Sequence, residues 1–164
     1  MDTENRKKAR GFSLARADGE MAYIVEKSDH GTLAAWAIAC VERVLPYYEK
    51  EYPEDDRPRK ALQTCQAWID TGVFSMAVIR EAALAAHAAA REVGEDSAAR
   101  SAARAAGQAA ATAHVPAHSV AAANYALQAV HRAASPPDAD GAVAAERDWQ
   151  YRHLLALREG RSAG

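Results

Sequence analysis

Residues 30–52 read HGTLAAWAIACVERVLPYYEKEY, and this stretch decides the fold. Leu33, Trp36, Cys40, Val44 and Tyr47/Tyr48 recur at three- and four-residue spacing, the period of a helix rather than a strand. Ile38, Val41 and Leu45 widen the stripe, which predicts a helix buried over more than one face. Ser28 or Asp29 stands before it as an N-cap, its side-chain oxygen positioned to accept from a free amide. Pro46 lacks the amide that would continue the ladder. The helix should therefore kink or end near Leu45, with a further turn through Tyr52.

The same signals recur toward the C-terminus. Asp55-Asp56-Arg57-Pro58 opens a second helix, with an aspartate cap and proline in the first turn. Ala61, Leu62, Cys65, Trp68 and Ile69 form its apolar face, and Gly72 closes it. A third helix runs from about Ser75 to Val93 with Met76, Ile79, Ala83, Ala86 and Ala90 on one side, ended by Gly94. Asp96 or Ser97 caps a fourth, AARSAARAAGQAAATAH, almost pure alanine on its inner side. Pro116 marks the start of a fifth, AHSVAAANYALQAVHRAA, which should carry Val120, Asn124, Leu127 and Val130/His131 inward. SPPDADG is a loop, and the last helix covers about Ala142 to Arg158 with Ala145, Trp149, His153 and Ala156/Leu157 in line.

Residues 1–27 read as a tail in which MAYIVE forms a short strand or extended arm, and 159–164 as a second tail. Between them, residues 28–158 make one all-α domain, a compact bundle of about six alanine-rich helices. Alanine supplies roughly a quarter of the chain, so helices must approach closely to bury enough surface. REAALAAHAAAR and RSAARAAGQAAA share a pattern twenty residues apart, as a helical-hairpin repeat would.

Composition excludes several classes. A net charge of −2, with the one basic run at Arg6, Lys7, Lys8 and Arg10, argues against a nucleic-acid binder. No apolar span reaches membrane length, and no secretory leader pattern opens the chain. Two cysteines in helical patterns fit a cytoplasmic protein with reduced thiols.

Few side chains suggest chemistry. His114 and His118 have the spacing of a two-histidine metal pair, but Val115 stands where a zincin needs glutamate. His87, Cys40 or Asn124 would have to complete such a site. A simpler role for these histidines is a hydrogen bond to a neighbouring helix, since Pro116 leaves a carbonyl near Thr112 without its donor. Cys40 lies in an apolar stripe, which makes its thiol inert. Glu49, Glu51, Glu54, Asp55 and Asp56 precede Arg57, Arg59 and Lys60, a pattern of caps and solvated salt bridges. Trp36, Trp68 and Trp149 read as core. No catalytic residue, cofactor or metal is assigned.

Five blocks, WAIACVERVLPYYE, DDRPRKAL, REAALAAHAAARE, ARAAGQAAATAHV and SVAAANYALQAV, resemble a bacterial family of small helical immunity proteins, the Imm-5 like group of polymorphic toxin systems. The resemblance spans residues from about 33 to 133. It implies a cytoplasmic, non-enzymatic protein that binds and neutralises a cognate toxin. The motif positions it carries over are Trp36, Cys40, Arg43, Pro46, Asp55, Asp56, Arg57, Pro58, Arg59, His87, Arg91 and His114. Tyr47, Tyr48, Tyr52 and the 54–60 loop are candidate partner anchors. Two other readings stay open: a metal- or small-ligand-binding bundle built around His87, His114 and His118, and a helical interaction module without inhibitory activity.

Overall fold

The structure is a computed structural model and describes residues 19–162. The basic run at Arg6–Arg10 and most of the expected N-terminal tail lie outside the described residues. Within them every regular element is a helix: α1 (19–26), α2 (His30–Glu42), α3 (Leu45–Glu49), α4 (Arg57–Thr71), α5 (Met76–Glu92), α6 (Ala98–Ala111), α7 (His118–Ala133) and α8 (Ala139–Ser162).

Local chemistry sets the helix ends. Asp29 accepts from the Thr32 amide, Ser75 from Val78 and Ser97 from Arg100. Gly72 ends α4 at φ 70°, the left-handed conformation that glycine adopts without a Cβ penalty. The α4 start departs from expectation. Asp56 holds the cap position without a side-chain bond, and Asp55 accepts from the Arg57 amide instead.

The helix count corrects the expectation of about six. The chain breaks at Arg43–Val44, and Pro46 starts α3 in its first turn, so one expected helix becomes two. The MAYIVE segment is helical rather than extended. Met21 and Ile24, one turn apart, are buried in the core, and Arg158 donates to the Ile24 carbonyl at 3.1 Å. At the other end α8 runs on to Ser162.

α6 lies at the centre, packed against α2, α3, α4, α5 and α7. Its inner surface is Ala99, Ala102, Ala103, Ala105, Ala106, Gly107, Ala109 and Ala110, all buried. Such a surface lets axes approach to the lower end of the usual 8–10 Å range. The larger fully buried side chains, Trp36, Tyr48, Leu45, Leu62 and Leu154, come from the surrounding helices.

Two expected stripes hold only in part: Leu127 of α7 is buried, and Val130 of α7 and Trp149 and Leu157 of α8 pack half-buried against the core. On α7 the buried face is Ser119, Ala122, Ala123, Ala126, Leu127 and Ala129, while Asn124 and His131 are exposed and Val120 and Val130 are half-buried. On α8 the buried residues are Ala139, Glu146, Arg147, Gln150 and Leu154, whereas Ala145 and Ala156 are exposed. Apolar size was an incomplete guide, because alanine faces pack closely and the polar α8 residues find partners. The repeat reading fails in detail too. Its two copies lie on neighbouring helices α5 and α6, and their leading arginines differ: Arg100 bonds Asp96 and the Val93 carbonyl, while Arg80 is exposed.

Candidate interaction surface

Most of the expected anchors hold the bundle together. At the α3–α4 corner the buried Tyr48 hydroxyl donates to Asp55 Oδ2 at 2.7 Å, and Tyr52 stacks on Tyr48. Asp55 also accepts from Arg57 Nε at 2.9 Å, and Arg57 reaches on to Glu92 of α5. The Arg57 guanidinium holds the Asp55 carboxyl well below the usual carboxylate range, while burial, and then Asp55, push the Tyr48 hydroxyl up. Arg59 ties α4 to Glu42 of α2 at 2.6 Å and to Glu49 of α3 at 2.7 Å. Asp56 is exposed and pairs with Lys60. Of the three expected anchor tyrosines, Tyr47, Tyr48 and Tyr52, Tyr47 is the one left exposed, at 38%.

A second polar seam joins α2, α7 and α8. Trp36 Nε1 donates to the Gln150 carbonyl at 2.8 Å, and Gln150 Nε2 donates to the Ala123 carbonyl at 3.0 Å. Arg147 bonds Gln150 Oε1 and Asn124 Oδ1. Arg43 Nε lies 2.5 Å from Glu146 Oε1, its guanidinium 4.0 Å from the Trp149 ring centre, and Trp149 stacks on His153. Cys40 lies fully buried nearby, its thiol pushed up by burial and then by Glu146. Cys65 is buried as well, its thiol pushed up to about 12. Neither sulfur is poised as a nucleophile. Glu146, Arg147 and Gln150 went unrecognised in the sequence. Their spacing with Leu154 was visible, but the neighbouring Trp149/His153 stripe is larger and more apolar.

The three histidines do not gather into one site among the described residues. His87 lies over Gly107 of α6, and burial, then repulsion from Arg104, Arg91 and His118, lowers its pKa below the ordinary histidine value. His118 Nδ1 is 2.7 Å from Gln108 Oε1. His114 is exposed and stacks on Phe74, with ring centres 6.1 Å apart. Among the described residues no three His, Cys, Asp or Glu side chains are grouped to hold a metal ion. The Thr112 carbonyl, deprived of a donor by Pro116, is reached by His30 Nε2 at 2.5 Å, and the His30 ring also packs on Trp68. A histidine does take that carbonyl, but it comes from the start of α2.

The feature that sequence reasoning missed is apolar and exposed. Val73, Phe74, Met76 and Val78 around the α4–α5 turn are 73%, 46%, 37% and 54% exposed. Behind them a groove of about 460 Å³ runs between α4 and α5, lined by Lys60, Ala67, Trp68 and Ile79 among others. The signal lay in GVFSMAV, an apolar run across a turn where polar residues are usual. Arg91 is exposed on α5, on the flank that meets α6.

Fold and surface together describe an all-helical bundle with an unpartnered apolar rim. The family model described as Imm-5 like putative immunity protein matches residues 23–157, and the chain belongs to that family. The match extends the resemblance of residues 33–133 to take in half of α1 and most of α8. The comparisons with curated proteins and with solved structures returned no match. Among the described residues no helix is long and apolar enough to cross a membrane.

Proposed function

We propose that this chain is a cytoplasmic, non-catalytic immunity protein that binds the toxin encoded beside it and blocks that toxin by protein–protein contact. The observation that carries the reading is family membership over residues 23–157. The rim of Val73, Phe74, Met76 and Val78 on a bundle braced by Arg57 and Arg59 supports it. A stable complex removes roughly 800 Å² of surface per partner, and apolar anchors on a stiff scaffold lose little side-chain entropy in doing so. Two buried thiols with raised pKa values favour binding over covalent chemistry.

Co-expression with the product of the adjacent gene tests the proposal. Growth should be rescued, and the two chains should co-elute from a sizing column. A toxin that still kills, with no complex formed, overturns it.

A further inference from the structure

α5 has two flanks. One faces α4, where Glu92 takes Arg57 and Val78 lines the groove. The other faces α6. Near the shared turn Arg100 donates to the Val93 carbonyl, and further along His87 lies on Gly107, so the two helices run antiparallel in a defined register. Arg80, Leu84, His87 and Arg91 fall on this flank at helical spacing. The register carries Arg91 across the seam from Arg104 of α6. Both guanidiniums lie near enough to His87 to disfavour its protonation, as does His118 at the start of α7.

The cations of this face stand apart from the other arginines of the bundle. Arg43, Arg57, Arg59, Arg100 and Arg132 each meet a carboxylate. Among the described residues no hydrogen bond or ion pair joins Arg80, Arg91 or Arg104 to one. Arg104 is half-buried and Leu84, between Arg80 and Arg91, is 58% exposed. A chain of net charge −2 has thus gathered like charges around an exposed leucine. Arg91 feels the neighbouring Glu92 carboxylate, but that carboxylate is taken by Arg57. Like charges held together without a direct ion pair raise the energy of the free protein, and an anionic surface offsets that repulsion on docking.

We propose that this α5–α6 face docks an acidic segment of the partner protein, a carboxylate lying between Arg91 and Arg104 and an apolar side chain on Leu84. That the partner is the adjacent toxin rests on the immunity reading. Nucleic acid fits less well, because the centre of the face is an aliphatic side chain rather than a stacking ring.

The test uses the full chain and the adjacent gene product. Arg91→Glu/Arg104→Glu should weaken the complex by about 100-fold, and wild-type affinity should fall between about 50 and about 500 mM salt. Should the double variant fail to fold, Arg104→Gln serves instead, with a loss of about tenfold expected. A folded variant that binds within about threefold of wild type and still protects cells overturns the assignment of this face and leaves the immunity reading standing. A wild-type chain that neither binds nor protects removes both. Capture of a single-stranded RNA by the wild type and not by the double variant overturns the acidic-segment assignment in favour of nucleic acid.

Discussion

The imidazole of His87 lies so close over Gly107 that a Cβ at that position would meet its Cε1 and Nε2 at 2.7 Å. The missing side chain on α6 is the space that the ring occupies.

Gly107→Ala therefore sets two effects against each other. Alanine in a helix interior gains about 1 kcal/mol over glycine, while forcing the ring aside costs about 1–3 kcal/mol. We expect a net loss of about 1 kcal/mol in the wild-type background and a gain of similar size in His87→Ala. Urea denaturation of the four proteins measures this, and the same sign in both backgrounds refutes the contact.

The Gln150 side chain bridges Arg147 and the Ala123 carbonyl inside the bundle. Gln150→Leu has similar volume and greater hydrophobicity, yet leaves those groups unsatisfied. A loss of about 2 kcal/mol is expected in denaturant unfolding. A stabilised variant would show that the seam carries no weight.

Stability should depend on pH in two windows. His87 and His153 both titrate below the ordinary histidine value when folded, chiefly through burial. Below that ordinary value the unfolded chain takes up protons that the folded chain resists, so stability falls as pH drops from about 7 toward 5. His87→Gln should flatten part of this slope in melting temperatures read across the range. Asp55, held low chiefly by Arg57, acts in a more acidic window. Its contribution is complete above the unfolded carboxylate value near 4 and fades as pH falls further, so Asp55→Asn should remove part of the acid sensitivity.

Cys40 and Cys65 should resist alkylation in the native protein, because both thiols are buried and their pKa values raised. At about pH 8, iodoacetamide labelling followed by mass spectrometry should show neither modified until denaturant is added. Rapid native labelling of either would contradict its burial.

Phe74→Asp changes an exposed ring that stacks on the His114 imidazole. Its cost to folding should stay within about 0.5 kcal/mol. If the α4–α5 rim meets the toxin, the variant should lose growth protection while keeping its melting temperature. Unimpaired protection would place the contact elsewhere.

Helix identity and most helix ends were legible in the sequence, since caps and breaks depend on neighbouring residues. Asp29, Ser75, Ser97, Gly72 and the prolines act on amides and carbonyls within a turn of themselves. The family, too, could be read from its blocks. The inward faces of α7 and α8 could be read only in part, through Leu127, Val130, Trp149 and Leu157, because alanine fits either side of a helix and marks neither. Glu146, Arg147 and Gln150 look like surface residues until Arg43, Asn124 and the Ala123 carbonyl are brought to them.

The sequence by itself determined that the chain is helical and where most of its helices begin and stop, because backbone hydrogen bonding and capping are local. Tertiary structure alone decided which residues face inward, that His30 rather than its sequence neighbours meets the Thr112 carbonyl, and that Arg91 and Arg104 both come near His87. Those outcomes depend on register between helices, which small side chains leave unmarked and only close packing sets.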